Sequence, residues 1–207
     1  GDFDPGAGTS NLTSYGGTDI FVTGLDTAGN FVSAINMGGT DDDEGQSIGI
    51  STNGEIYLTG GFSGTANFNP FGTYNLTSSG GSDIFLVRYY SGAFGSAKKI
   101  GGTGNDKGLS ITLDAFNYQY LTGYFEDTVD FNPSSPIFNL YSAGGTDIFV
   151  CKFNYGTNFI CADQMGGEEN DYGYSVAVDA AYNAFVTGSF SGTADFNPDA
   201  GTYYMAS

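Results

Sequence analysis

The amino-acid sequence predicts an all-β protein built from tandem repeats. Three stretches carry nearly the same text, "GGTDIFV" from Gly16, "GGSDIFL" from Gly80 and "GGTDIFV" from Gly144, each 64 residues after the last. Apolar and polar residues alternate within the copies as in half-buried strands, and no window shows a capped apolar period of 3.6 residues. The 34 glycines and 5 prolines suit short strands joined by many turns.

A second motif sets the repeat boundaries. The segments "DFDP", "NFNP", "DFNP" and "DFNP" place a phenylalanine at positions 3, 68, 131 and 196, at intervals of 65, 63 and 65 residues. Insertions between copies are therefore limited to single residues. We interpret the chain as a single repeat array over 1–207, with units at about 2–66, 67–129 and 130–194 and the start of a fourth at 195–207.

Each unit is predicted to contain four antiparallel strands. In the copy from Gly45 to Gly102 these are "SIGIS", "EIYLTGGF", "SDIFLVRYY" and "AFGSAKKIG". The turn "TNG" joins the first two, and its Asn-Gly pair favours a type I′ hairpin. About twenty residues between the second and third strands carry the Asx-Phe-Asx-Pro turn and leave room for a short extra strand. This pattern predicts a β-propeller-like array of four-stranded blades, although usual blades need only about 40 to 45 residues.

The segments "GYSVAVDAAYNAFVTGSFSGTADFNPDAGT", from Gly173, and "GGTDIFVCKFNYGTNFICADQMGG", from Gly144, resemble the bacterial β-propeller repeats called SBBP repeats. The resemblance extends over essentially the whole chain. It implies a propeller fold and an extracellular or cell-surface setting, in a bacterium. The family carries no single activity, so the resemblance transfers no catalytic residue.

The charge of the chain restricts its partners. Five basic residues against 23 acidic ones give a net charge of −18, which repels phosphate backbones and anionic lipid headgroups. We therefore expect no nucleic-acid partner. The chain has no run near the about 18 apolar residues of a membrane-spanning helix, and neither terminus has a cationic, apolar signal segment. We expect a soluble mature chain without membrane insertion.

The acidic residues are predicted to gather on one face. Successive connections of an antiparallel meander alternate between its ends, so the "DFNP" segments and the loops "TDDDEG", "TGNDKG" and "EENDYG" should lie together. Calcium binds six to eight oxygen ligands, and the candidate ligands on this face are Asp41, Asp43, Asp130, Asp171 and Asp195. The alternative is a solvated acidic face on which Asx side chains cap turns. The spacing matches no calcium-loop signature.

The residue inventory disfavours an enzyme. The chain has no histidine, which removes Ser-His-Asp and Cys-His arrangements and the commonest zinc ligand. Paired carboxylates hydrolyse glycosides in some enzymes, but 23 acids in an array form pairs by chance. No copy differs from the others as a catalytic site would. We expect no catalytic activity and no cofactor other than calcium.

The aromatic residues divide into two groups. Those that recur at strand positions are predicted to form the core, namely Phe21, Phe85 and Phe149 in the third strand and Tyr57, Tyr120 and Phe185 in the second. The tyrosines outside this pattern, Tyr89, Tyr90, Tyr203 and Tyr204, are candidates for contact with a partner or a sugar ring. Asn11 and Asn75 head glycosylation sequons, but both occupy the same repeat position, so the fold itself can account for the tripeptide.

The two cysteines are predicted to form a disulfide. Cys151 and Cys161 flank the turn "NYGT" in neighbouring strands, and pairing of Phe153 with Phe159 would place them directly opposite each other. Opposite antiparallel partners lie about 4.5 to 5.5 Å apart at Cα, within disulfide range. The alternative is two reduced, partly buried thiols. An extracellular setting favours the bridge.

Three units do not close a propeller, which takes four to eight blades. The open blade edges must be covered by adjoining repeats or by copies of the chain, in a ring or a filament. This predicts an extracellular structural, self-assembling repeat protein. The alternative is a propeller module of a surface adhesin that binds a glycan or a cell-surface protein, with or without calcium. Size measurement in solution and glycan binding distinguish the two.

Overall fold

The computed structural model describes residues 1–90 and 92–207, and these form strands, turns and loops without a helix. The all-β prediction is therefore confirmed for the described residues, among which no helix meets the length and hydropathy that crossing a bilayer requires. The strands are β1 (Ile20–Leu25), β2 (Phe31–Gly39), β3 (Asp43–Ile50), β4 (Ile56–Asn67), β5 (Asn75–Tyr90), β6 (Ala93–Gly102), β7 (Lys107–Leu113), β8 (Gln119–Asp130), β9 (Asn139–Phe153), β10 (Phe159–Gly167), β11 (Tyr172–Val178), β12 (Ala184–Ser189), β13 (Thr193–Asp195) and β14 (Tyr204–Ala206).

All pairings between these strands are antiparallel. Strands β3 to β6 pair in chain order, and so do β7 to β10. We call these two groups the inner meanders. The pairs β1–β2 and β11–β12 lie before and after them and are called the outer pairs. All four strands predicted in the copy from Gly45 to Gly102 are present as β3 to β6.

The roughly twenty residues between the second and third strands of a unit lengthen the hairpin that these strands form. The lengthened hairpin also pairs with the preceding unit. Strands β4 and β5 continue past a bulge at Gly64, where the backbone has a φ of 57°, and residues 65–67 pair with 75–77. The far end of β4 then pairs with the end of β2, and β8 and β13 pair in the same way with β6 and β10. The equivalent bulge residue in β8 is Asp127, with a φ of 61°. The twenty-residue insert therefore lengthens two strands rather than adding a separate one.

The Asn53-Gly54 turn differs from the prediction. The N–H of Gly54 donates to the carbonyl of Ser51, and the N–H of Ser51 donates to the carbonyl of Glu55. Only Gly54 has a positive φ, 78°, whereas a type I′ turn needs two such residues. The connection is thus a three-residue loop. Its left-handed position is occupied by Asn117 and Tyr182 in the equivalent loops.

Two hydrophobic clusters form the core, and four of the six recurring aromatic residues are buried. Phe85 and Phe149 are fully buried, and Tyr57 and Tyr120 are buried as predicted. The prediction was wrong for Phe21 and Phe185, which are 54% and 60% exposed. Each of these two lies in an outer pair and lacks the neighbouring strand that covers its equivalents. Burial at a repeat position therefore depends on the number of flanking strands.

The inner meanders contact each other through a buried charged group. Arg88 of β5 forms a bidentate ion pair with Glu55, with N···O distances of 2.8 and 3.2 Å. Tyr155 comes from the β9–β10 turn of the other meander and donates its hydroxyl to Glu55 at 2.7 Å. The Arg88 guanidinium also lies over the Tyr155 ring, 4.5 Å from its centroid. The pairing satisfies both charges in a site that is largely removed from water.

Candidate functional site: the acidic loop face

The "DFNP" motifs form a double Asx turn that is the same in all four copies. In the second inner meander, Asp130 Oδ1 accepts N–H bonds from Asn132 and Phe138, and Asn132 Oδ1 accepts one from Ser134. The phenylalanine between the two Asx residues points into the core, as Phe131 does. Equivalent bonds are made by Asp2 and Asp4, by Asn67 and Asn69, and by Asp195 and Asn197. Because only the Oδ1 acceptor is needed, Asn and Asp serve equally at this position.

A second class of aspartates directly precedes the recurring "IFV" or "IFL" segment of each unit. In the "GGSDIFL" segment Asp83 is fully buried, and its Oδ2 accepts the N–H of Ser79 at 2.9 Å. Its Oδ1 is buried and has no hydrogen-bond partner. Asp19 and Asp147 repeat both features, an Oδ2 bonded to an N–H four residues earlier and an Oδ1 without a partner. Buried polar groups normally have hydrogen-bond partners. Because the same oxygen lacks a partner in three units, the unsatisfied oxygen is a feature of the repeat.

A third class of aspartates closes the loop that follows the fourth strand. Asp106 is fully buried, and its Oδ2 and Oδ1 accept the N–H groups of Gly102 and Glu126 at 2.8 and 3.0 Å. Asp43 and Asp171 make the same two bonds in their units. These side chains tie the loop to the second strand of the next meander.

The second and third classes lie near each other as the pairs Asp19 and Asp43, Asp83 and Asp106, and Asp147 and Asp171, and all of these residues except Asp19 are buried. Burial raises the pKa of Asp106 to about 7; its two backbone N–H bonds oppose this rise, and the charges of Asp83 and Glu126 add to it. Burial likewise raises the pKa of Asp43 to about 6, with Asp19 as one contributing charge. The main cause is removal of the carboxyl groups from water, and the charge of the neighbouring aspartate adds to it. Sequence reasoning did not single out Asp83 or its equivalents, although an aspartate repeated before an apolar strand was the available signal.

The five candidate calcium ligands do not come together in one site. Asp130 and Asp195 cap Asx turns in successive units, and Asp43 and Asp171 belong to two different aspartate pairs. Asp41 is exposed and lies beside Gly64 at the β4 bulge. Within 1–90 and 92–207 no group of three or more His, Cys, Asp or Glu side chains is placed to hold a metal ion. Asp130 and Asp195 thus have the turn-capping role of the alternative interpretation, and calcium binding stays a prediction.

A large cleft lies on this face beside β10 and β13. Its volume is about 1110 Å³, and its walls combine acidic side chains with aromatic and aliphatic ones. The acidic residues that line it are Asp147, Asp163, Glu168, Glu169 and Asp195. Tyr204, a predicted contact residue, lines it as well and is 65% exposed. Carboxylates next to an aromatic ring provide hydrogen-bond acceptors and a stacking surface for a polar ligand.

The other tyrosines predicted to contact a partner differ in their exposure to solvent. Tyr90 and Tyr203 are exposed, as a contact role requires. Tyr89 is buried, and its hydroxyl donates to the carbonyl of Phe68 at 2.6 Å, so its prediction was wrong. Tyr89 belongs to the core because it follows the inward-facing Val87 by two residues in the same strand.

The two sequons occupy one structural position. Asn75 pairs with Asn67 across the extended hairpin, and Asn11 pairs with Asp2 in the preceding copy. Both asparagines are exposed. Asn139 has the same place but is followed by Leu140 and a tyrosine, so it heads no sequon. The Asn-Leu dipeptide therefore fits this hairpin whether or not a sequon is present.

The cysteines are not opposite each other. Phe153 does pair with Phe159, but a bulge at the next residue shifts the register. Cys151 consequently faces Ala162, and Cys161 faces Lys152. Cys151 is buried, Cys161 is exposed, and both are free thiols in the structure. The register prediction was wrong because one extra residue turns the following side chains to the other face of the strand. The same bulge occurs in β2 and β6.

The outermost faces of the array expose apolar residues that are buried between units. Strand β3 lies against β7, and β7 lies against β11, with Ser47 and Ser110 each accepting an N–H bond from the next strand in this series. Ile111 of β7 is 5% exposed in this arrangement, whereas its equivalent Ile48 of β3 is 50% exposed. A further unit of the same kind, packed on β3, would cover Ile48 as β3 covers Ile111.

Comparison with known proteins identifies a relative with low sequence identity. No protein-family model matches the chain. The chain is 27% identical over 212 residues to a protein of Acanthamoeba polyphaga mimivirus described as the uncharacterized WD repeat-containing protein L264. The match covers 93% of this chain and 15% of that protein. The chain thus spans a small part of the length of the curated relative that it matches.

Proposed function

We propose that the chain is a propeller-type repeat module whose blades are the four-stranded meanders, and that it serves as a structural, self-assembling element outside the cell. Its partners are further repeats of the same kind, in adjoining sequence or in other copies of the chain, which pack on its open edges. The all-β meander organisation and the WD-repeat description of the mimivirus relative support the propeller interpretation. The resemblance to SBBP repeats supports the extracellular bacterial setting, and no catalytic role is assigned.

One observation carries this proposal. Residues at equivalent repeat positions are buried where a flanking strand or unit is present and exposed where it is not, as for Phe85 and Phe21 and for Ile111 and Ile48. A side chain such as Phe or Ile gains about 1.5 to 3 kcal/mol from complete burial. Covering both outer faces with a repeat of matching shape therefore provides the free energy for assembly.

The test is the size of the 207-residue chain in solution, measured by light scattering after size-exclusion chromatography. We expect multiples of 21.6 kDa. The double variant Phe21→Asp and Phe185→Asp should dissociate into single chains, because a carboxylate at either position would be buried without a partner. Ile137→Asp is the control, because Ile137 is 73% exposed in the β8–β9 turn and outside both outer pairs. A cooperatively melting monomer of the unmodified chain would contradict the proposal.

The acidic cleft favours a second candidate function, binding of a glycan or a cell-surface protein by an adhesin module. It is large enough for a sugar unit and combines carboxylate acceptors with the exposed Tyr204 ring. Binding to a glycan array that Tyr204→Ala abolishes and Tyr90→Ala leaves intact would select this candidate over the structural one.

A further inference from the structure

The central aspartate pair, Asp83 and Asp106, is the feature that neither proposed function uses. Both side chains are fully buried. Of their four carboxylate oxygens, three accept backbone N–H groups, from Ser79, Gly102 and Glu126, and Asp83 Oδ1 accepts none. An unsatisfied buried carboxylate oxygen is costly, so the site requires a hydrogen-bond donor at this one point.

The backbone of β6 holds the two carboxyl groups together. A Cβ on Gly101 would lie 2.6 Å from Asp83 Oδ1, and the next residue, Gly102, donates its N–H to Asp106 Oδ2. In addition, the N–H of Asp106 donates to the carbonyl of Ser82, the neighbour of Asp83, at 2.7 Å. Gly101 therefore leaves space for Asp83 Oδ1 directly beside the backbone N–H that holds Asp106.

The charged and titratable groups around the pair come from four strands. Lys99 of β6 lies 3.3 Å from Asp83 Oδ2, on the side away from the orphaned oxygen. Glu126 and Tyr124 of β8 face Asp106. Lys107 of β7 is engaged in an ion pair with Glu44 of β3. One cation therefore contacts the pair, and it binds an oxygen that already has a backbone donor.

We propose that Asp83 and Asp106 share one proton, which forms a hydrogen bond between the two carboxyl groups at Asp83 Oδ1, so that folding of this meander takes up a proton. A proton supplies the single donor that the site lacks. A calcium ion would need six to eight oxygen ligands, and the pair offers one free oxygen. The Asp19 and Asp147 sites have the same arrangement, with an orphaned Oδ1 beside the aspartate of the following loop.

The sign of the pH dependence follows from this protonation. Burial raises the pKa of Asp106 to about 7 from its ordinary 3.8, and it also raises the pKa of Asp83, against the N–H bond of Ser79 and the charge of Lys99. Between these values the folded state holds a proton that the unfolded state has released. The contribution of this proton to the free energy of unfolding is therefore fully present below about pH 4. It is lost as the pH rises towards about 7.

The test compares the melting temperature from pH 4.5 to 8 at constant ionic strength in three chains. Asp83→Asn places an amide N–H at the orphaned position and mimics the protonated state at every pH. Its melting temperature should fall less with pH than that of the unmodified chain, equivalent to about one proton fewer released on unfolding at pH 5.5. The control Asp127→Asn makes the same charge change at an exposed residue whose φ of 61° asparagine tolerates, and it should follow the unmodified chain.

A second measurement does not depend on the variants folding well. Carboxyl ¹³C titration of the unmodified chain should show an aspartate with a midpoint of about 7. Equal pH slopes for Asp83→Asn and Asp127→Asn, together with no aspartate that titrates above pH 5, would overturn the proposal. A rise in melting temperature with calcium but not magnesium that Asp83→Asn abolishes would also overturn it, in favour of a cation site.

Discussion

Phe85 in an inner meander and Phe21 in an outer pair occupy the same repeat position, and each packs against the phenylalanine of its own Asx-Phe-Asx-Pro motif. Phe85 lies 5.1 Å from Phe68, and Phe21 lies 4.9 Å from Phe3, between ring centroids. Phe85 is nevertheless fully buried while Phe21 is 54% exposed. The difference is that β5 has hydrogen-bonded strands on both sides, β4 and β6, whereas β1 has only β2. Residues in the same motif therefore contribute unequally to the free energy of unfolding.

The largest effect that tests this comparison is truncation of the two phenylalanines. Phe85→Ala should lower the free energy of unfolding by about 3 to 5 kcal/mol, because it leaves a cavity in the core. At protein concentrations low enough to keep the chains apart, Phe21→Ala should cost about 1 kcal/mol or less, because about half of its side chain contacts water in the single chain. Urea denaturation followed by far-ultraviolet circular dichroism measures both. Similar losses for the two variants would mean that assembly covers Phe21 in solution as fully as β4 covers Phe85.

A smaller effect should appear at the Asx turns. Asp130→Ala removes the oxygen that accepts two N–H bonds in the second inner meander and should cost about 1 to 2 kcal/mol. Asp130→Asn should leave stability nearly unchanged, because Asn67 makes the same bonds in the other inner meander. Asp195→Ala should affect global unfolding less, because Asp195 lies in the three-residue strand β13, which forms short pairings with β10 and β14 near the end of the chain. A large loss in Asp130→Asn would indicate that the charge has a function beyond the cap, such as binding a cation.

The smallest structural contrast is between the two cysteines, which the β10 bulge places on opposite faces. Cys161 should react with iodoacetamide in the folded protein, and Cys151 at least about tenfold more slowly, because it reacts only after the strand opens. Burial raises the pKa of both thiols and raises that of Cys151 well above its ordinary value, so both poor access and low acidity slow the reaction of Cys151. Intact-mass spectrometry at timed intervals measures the two steps. After denaturation both thiols should be alkylated, and a chain that takes up no label would show that a bridge had formed.

Much of the fold could be predicted from the sequence, because strand pairing within a unit depends on local alternation and short turns. The four strands from Gly45 to Gly102 lie where the alternation of apolar and polar residues predicts them. Errors occurred where one residue changes the register. The turn at Gly54 holds three residues instead of two, and the bulge before Cys161 moves that thiol to the other face. Alternation alone does not reveal a bulge, because an inserted residue resembles its neighbours in polarity.

The acidic face was predictable in position but not in role. The meander topology correctly brings the loop of Asp43 next to the second strand that leads into the "NFNP" hairpin, where its Oδ1 accepts the N–H of Ser63. Which aspartates are buried depends on the packing of consecutive units. Asp130 and Asp83 are both acidic residues of the repeat, but one caps an exposed turn and the other has an orphaned oxygen in the interior.

The sequence by itself determined the repeat period, the all-β class, the strands of each unit and the Asx turns, because these depend on residues close together in the chain. The tertiary structure alone decided which equivalent residues are buried, which carboxyl groups meet and where Cys161 points. Burial and carboxyl pairing depend on strands that are distant in sequence and arise only when consecutive units pack against each other, whereas the direction of Cys161 depends on the bulge in β10. That is why Phe21 and Phe85 share a motif but not an environment.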